Sequence, residues 1–256
     1  MPSDRTHQID PTRLLALIER FSSLRVAIFG DLLVDEFIYG EIARVSREAP
    51  VLILNYDSTD IVPGGAGNAA TNVAALGGDA IAVGFSGRDE TGRRLLTALR
   101  PRVDVRSIVR PRQFRTPTKT RILAGGIHSA KQQVVRIDRA TGADVGDGDR
   151  RAIRTNLLKA LSRCDALLVS DYGGGVVLPP LVLEAQKSLR RRGRDAAPVL
   201  VDSRYSLFRY RGMTTCTPNE SEVEQLLGVH IGENARVLER AGREVLRRTR
   251  SHEAWS

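Results

Sequence analysis

PGGAGNAATNVAALG, residues 63–77, sets three glycines and an asparagine against the start of a run of small and apolar residues at helical spacing. Glycine lets main chain approach a ligand closely and adopt positive φ, and an amide at a helix entry, here Asn68, can both cap and bind. Read as GAGNAA, the stretch meets a loose dinucleotide fingerprint. That fingerprint needs a strand running straight into the loop, and Pro63 after the polar Asp57–Asp60 predicts a break there. No Gly is followed by Lys and Ser or Thr, so a Walker A loop is absent as well. What remains is a ligand turn ahead of a helix, or a glycine turn without a ligand.

Working outward, short apolar runs alternate with amphipathic ones. RVAIFG (25–30), VLILNY (51–56), AIAVGF (80–85), DALLVS (165–170) and APVLVD (197–202) are composed as strands buried on both faces. GNAATNVAALG, ETGRRLLTALR, DRRAIRTNLLKALSR and PPLVLEAQKSLRRRG between them carry helical spacing, with Pro179 and Pro180 suited to a first turn. The alternation predicts an α/β fold with a doubly wound, mainly parallel sheet flanked by helices. Two segments, 33–46 and 116–139, alternate polar and apolar residues around glycines and predict antiparallel hairpins, a small β-flap beside the sheet. Residues 138–150 are the expected linker or turn. The Arg-rich helix that begins after Glu233 is expected to end without a further strand.

The net charge of +9 raises nucleic acid as a partner, but only four of 39 basic residues are lysine and the arginines are scattered. An anionic small substrate fits better. Cys164 and Cys216 match neither a disulfide framework nor a zinc site, and two reduced, buried thiols in a cytoplasmic protein are expected. The first 21 residues lack the charged start and apolar stretch of a signal peptide, and no run of about 18 apolar residues predicts a membrane span.

Three places can carry chemistry besides the glycine turn. GDLLVDEFIYG begins where the first strand ends, so Asp31 and Asp35 stand where carboxylates can accept hydroxyl hydrogen bonds, or cap a turn. TCTPNESEVEQLLG puts Asn219 and Glu222 on one face of a first helical turn, which is also ordinary capping chemistry. The basic residues of 116–139 either meet an anion or face solvent.

Taken together and in order, GDLLVDEFIYG, PGGAGNAATNVAALGG, GFSGRDETGRRLL, TPTKTRILA with KQQVVRID, LLVSDYGGG and VLVDSRYSLFRYRGMTTCTPNESEVEQLLG resemble the ribokinase-like carbohydrate kinases of the PfkB type. Within them the match is nearest the heptose 7-phosphate kinases of ADP-heptose synthesis, over roughly residues 24–230. The resemblance implies one incomplete ribokinase-like domain over residues 1–256. It implies sugar contacts from Asp35, Gly64, Gly65 and Asn68, with Asp31 beside them. Lys119, Arg121, Arg136 and Asp138 would close over the sugar from the flap. Asp202 and Arg204 would lie on the ATP side, and Asn219 and Glu222 would position Mg2+ and the nucleotide phosphates, Glu222 acting on the metal indirectly. The partners implied are a sugar or sugar phosphate, and a second copy through the flap, although the same alternation suits any half-exposed hairpin.

The chain departs from that pattern twice. It holds no Gly-Ala-Gly-Asp run, the family's anion hole and base, so it reads as cut short, with little activity expected. Gly174 also stands where relatives often carry Lys. A non-catalytic sugar-phosphate binder and, more weakly, a basic nucleic-acid binder are the rival readings.

Overall fold

The computed structural model describes residues 10–125, 130–140, 145–191, 197–251 and 253–254. In chain order the elements are α1 (Pro11–Glu19), β1 (Arg25–Gly30), β2 (Leu32–Val45), β3 (Leu52–Gly65), α2 (Ala66–Ala75), β4 (Asp79–Val83), α3 (Glu90–Leu99), β5 (Val103–Asp104), β6 (Thr118–Gly125) and β7 (Gln132–Arg139). There follow α4 (Asp147–Leu161), β8 (Ala166–Asp171), α5 (Pro179–Arg191), β9 (Val199–Ser203), β10 (Thr215–Cys216), α6 (Glu220–Leu227), α7 (Ala235–Thr249) and β11 (Glu253–Ala254). None of the described helices is long and apolar enough to cross a membrane.

Seven strands form a parallel sheet in the order β11-β10-β9-β8-β1-β4-β5. β1 lies inside it because its apolar run can be covered on both faces. Ala27 and Phe29 join Leu157, Leu161, Leu167 and Leu189 in one core, while Ile28 joins Leu32, Ala70, Leu95 and Leu99 in the other. From β1 the chain builds outward through β4 to β5, then returns to the other side for β8 and β9. The order therefore reverses between β1 and β8, and such switch points open a crevice at the carboxyl ends of the strands.

The predicted flap exists as a second sheet, order β3-β2-β6-β7, but its parts differ from expectation. VLILNY is not a core strand: it opens β3, the flap's edge, which pairs antiparallel with β2 and leaves Leu52 and Tyr56 exposed. Residues 33–46 form no hairpin either. They run as one long strand in which Gly40 marks a register shift, where a Cβ would meet the Asn55 carbonyl at 2.9 Å. Glycine here permits close passage of a neighbouring strand instead of a turn. The 116–139 hairpin is present as β6 and β7, with β6 parallel to β2; residues 126–129 between them lie outside the described set.

Pro63 does not interrupt its strand: β3 continues through it to Gly65 and passes directly into α2. An edge strand tolerates the missing N–H. The dinucleotide reading fails on different ground, since the strand entering the loop belongs to the flap and not to the parallel sheet. Of the expected linker, residues 138–139 end β7, 147–150 begin α4 and 141–144 lie outside the described residues. After α7, contrary to expectation, Glu253–Ala254 add a short parallel strand beside β10.

Asp89 ties the flap to the main sheet. Its carboxylate accepts the Gly92 N–H at the start of α3 (2.8 Å), the Thr116 N–H (2.9 Å) and the Thr116 hydroxyl (2.8 Å), just before β6. Burial pushes its pKa up, but the Thr116 and Gly92 hydrogen bonds outweigh it and hold the carboxyl below the usual range. A depressed folded pKa gives stability that is present above the unfolded value and lost as pH falls through the folded one. Asp89→Asn should therefore lower the melting temperature at pH 7, with the gap to wild type narrowing steadily below about pH 4 in thermal melts.

Candidate functional site

The site forms where β1 and β8 diverge, and Asp31 organises it. This buried carboxylate, directly after β1, accepts the backbone N–H groups of Tyr172 (2.8 Å), Gly174 (2.9 Å) and Val176 (3.3 Å). It thereby fixes the turn that leaves β8. Burial raises its pKa, the Gly174 and Tyr172 amides oppose that, and the Asp171 charge adds to it. A Cβ on Gly174 would lie 2.7 Å from an Asp31 oxygen, so the turn as built has no room for a side chain there. Asp31 is thus engaged with main chain, where a sugar contact had been expected beside Asp35.

The glycine turn wedges into the same place. Gly65 takes φ 56°, and the Ala66 N–H that follows bonds to the Asp31 carbonyl at 3.0 Å. A Cβ at Gly65 would come within 2.4 Å of that carbonyl. At Gly64 the same atom would sit 2.3 Å from Leu33 Cδ1 and 2.4 Å from Asp35 Oδ2. The missing side chain lets the Asp35 carboxylate lie against the main chain. Gly64→Ala is accordingly expected to displace that carboxylate and, if the sugar phosphate implied by the resemblance binds here, to weaken its binding more than tenfold by calorimetry, while far-ultraviolet dichroism stays unchanged.

Register places the flap residues. Asp35 on β2, Lys119 on β6 and Asp138 on β7 stand side by side across three strands, with Arg121 and Arg136 paired in the next row. Arg121 binds the Asp35 carboxylate at 2.5 Å, and Arg136 chelates Asp138 through two 2.7 Å hydrogen bonds. Lys119 has no such partner among the described residues: its Nζ hangs 5.4 Å from the ring centre of Tyr172. Burial, then the Arg136 charge and, less strongly, that of Arg204 lower its pKa against the pull of Asp35. The face carries surplus positive charge, as an anion site requires.

Two cavities share Tyr172. One, of about 200 Å³, is lined by Asp31, Lys119, Asp138 and the Tyr172–Gly174 turn; the other, of about 230 Å³, by Gly65, Asn68, Asn72, Asp202 and Thr217. Burial first, and then Asp202, raise the Tyr172 pKa, which keeps its hydroxyl neutral and able to donate. Asp202, at the carboxyl end of β9, is also shifted up by burial and by Glu222, against a hydrogen bond from Thr217. Asn219 and Glu222 line neither cavity. Their side chains close a capping box on α6, Asn219 Oδ1 accepting the Glu222 N–H at 2.8 Å and Glu222 Oε2 accepting the Asn219 N–H at 3.0 Å. Arg204 stacks beside Tyr205 at 5.5 Å.

Sequence reasoning missed Tyr172, Asn72 and Thr217. Asn72 stands one helical turn after Asn68, a spacing that could have flagged it. Nothing local marks Tyr172, whose role depends on two cavities meeting. Both cysteines are buried.

Residues 25–250 match the profile described as pfkB family carbohydrate kinase. The chain belongs to the pfkB family of carbohydrate kinases. It is 36% identical over 250 residues to the bifunctional protein HldE of Geobacter sulfurreducens, covering 94% of this chain and 49% of that protein. To the HldE of Citrifermentans bemidjiense it is 38% identical over 219 residues, 84% of this chain and 43% of the relative. The chain thus spans about half the length of the curated relatives it matches. Among solved structures, phosphofructokinase-2 from Escherichia coli in complex with fructose-6-phosphate superimposes with a TM-score of 0.64 at 18% identity, over 90% of this chain and 73% of the other. Arabidopsis thaliana ribokinase complexed with ribose and ATP gives 0.63 at 14% identity, over 90% and 70%. These likenesses confirm the ribokinase-like fold.

Proposed function

We propose that these residues form the acceptor side of a kinase that moves the γ-phosphoryl group of ATP to a hydroxyl of heptose 7-phosphate. The observation that carries the reading is that Asp35 lies against the Gly64 main chain, pairs with Arg121 and stands in register with Lys119, beside two cavities that share Tyr172, in a chain 36% identical to a protein named HldE. Asp35 would accept sugar hydroxyls against the main chain of Gly64, Asn68 would donate its amide, and Lys119 and Arg121 would hold the acceptor's phosphate. Asp138 would keep Arg136 oriented at the rim.

Phosphoryl transfer needs in-line positioning and charge neutralisation more than covalent help. Asp202, Arg204, Asn219 and Glu222 would face the nucleotide. Among the described residues no group of three or more metal-ligating side chains occurs, yet Asp202 and Glu222 raise the local negative charge together. That donor set fits a magnesium ion held mainly by phosphate oxygens, with one or two carboxylates beside it. When bound, the metal supplies charge neutralisation. The flap would exclude water from the crevice.

A second reading, sugar-phosphate binding without transfer, is favoured by the lack of a Gly-Ala-Gly-Asp run in these 256 residues. The chain with Mg-ATP and heptose 7-phosphate, followed by phosphorus NMR, separates the two. A new sugar phosphate signal sustains transfer; calorimetric binding of the sugar without that signal sustains the second reading; neither ends both. Steeply salt-dependent DNA binding with no sugar response would instead support the nucleic-acid reading. The exposed Val135 and Ile137 of β7 would form a contact between two copies, which sedimentation equilibrium tests.

A further inference from the structure

A separate cleft of about 370 Å³ lies between the first turns of α5 and the segment Arg209–Arg211, and it shares no lining residue with either cavity of the candidate site. One wall is apolar, made by Pro179, Val182 and Leu183. The polar groups opposite are unusual. Gln186 is only 7% exposed, lines the cleft, and makes no hydrogen bond among the described residues. Its amide is not sealed from water, so it is free to bond a polar atom that enters the cleft. Arg209 and Arg211 are exposed beside it, and neither forms an ion pair with a described carboxylate.

The helix start itself supplies no donors. Pro179 and Pro180 lack an N–H, and the Leu181 and Val182 amides bond to the Leu178 carbonyl at 2.9 and 3.2 Å. Anything held here is held by side chains. We propose that this cleft binds a small organic anion: Arg209 and Arg211 grip a phosphate or carboxylate group, Gln186 bonds an adjoining polar atom, and an apolar body lies on Pro179, Val182 and Leu183. The floor connects it to the crevice. Tyr210, which also lines the cleft, donates its hydroxyl to Asp171 at 2.7 Å, and Asp171 accepts the Gly173 N–H at 3.0 Å and the Ser203 hydroxyl at 2.8 Å. An occupant therefore rests one residue away from the carboxylate that steadies the glycine turn after β8.

Calorimetry on the whole chain tests this with phenyl phosphate, which has both charge and apolar body, against inorganic phosphate, which has charge alone. The expected result is one phenyl phosphate per chain, bound at least ten times more tightly than inorganic phosphate. Arg211→Ala should weaken it tenfold or more. Gln186→Leu should weaken it about tenfold while its melting temperature stays close to that of wild type, because the amide makes no hydrogen bond with the described residues. Lys119→Ala should leave it unchanged. The proposal is overturned if no heat of binding appears, if the two probes bind equally, if both cleft variants keep wild-type affinity, or if Lys119→Ala abolishes binding, which would assign the ligand to the sugar-phosphate crevice. None of these outcomes bears on heptose 7-phosphate binding, so the kinase reading stands or falls separately.

Discussion

Asp31→Ala is expected to lower stability by about 2–3 kcal/mol, a fall of roughly 5–10 °C in melting temperature for a chain of this size. Three backbone N–H groups lose their acceptor at once, and a net value near 1 kcal/mol for each sets the scale. Burial already makes the charge costly, as the raised pKa shows, so the loss falls short of what three charge-assisted bonds would give. Asp31→Asn keeps an acceptor oxygen for the Tyr172 and Gly174 amides and should lose less. The same substitution also removes a pH effect of opposite sign to that of Asp89. A folded pKa above the unfolded value means that this group's contribution declines as pH rises through the interval between them. Thermal melts of the three proteins from pH 3 to 7 check both points, and an Asp31→Ala protein as stable as wild type would remove Asp31 from its organising place.

Asp35→Ala is expected to reduce affinity for the sugar phosphate by about a hundredfold or more, since two charge-assisted hydrogen bonds at about 1.5 kcal/mol each are lost. Stability should change by less than about 1 kcal/mol, because the Asp35–Arg121 pair is partly open to water. The substitution also releases Arg121 and takes from Lys119 a favourable charge, which leaves an uncompensated cationic face. Binding of inorganic phosphate should therefore hold or tighten while sugar-phosphate binding collapses. Parallel titrations of the two ligands make the comparison. Equal losses for both would mean that Asp35 organises the flap and does not read the sugar.

Much of the main sheet was legible from local chemistry. RVAIFG, AIAVGF, DALLVS and APVLVD are apolar, β-branched and bounded by turn signals, and each forms a parallel strand, because a strand covered on both faces must be apolar throughout. VLILNY carries the same signal and lies on an open edge. Its neighbours decide that: β2 offers unpaired main chain all along its length, and the hydrogen bonds of that long pairing outweigh the preference of six apolar residues for a core.

The candidate site divides in the same manner. Glycines beside Asp35 were readable as a ligand turn from residue type alone, since only Gly permits positive φ at Gly65 and contact with a carboxylate at Gly64. That Asp31 is engaged by the Tyr172–Val176 main chain 141 to 145 residues away, and that Tyr172 divides two cavities, was decided only when β1 and β8 came to lie side by side. Local chemistry along the chain was enough to mark most strands of the main sheet and the places where main chain must come close to something; what each charged group meets, and which sheet VLILNY joins, followed from the assembled fold. The physical reason is range: backbone conformation and hydrophobic periodicity act over a few neighbouring residues, whereas a carboxylate's partners are whichever donors the folded sheet brings within about 3 Å.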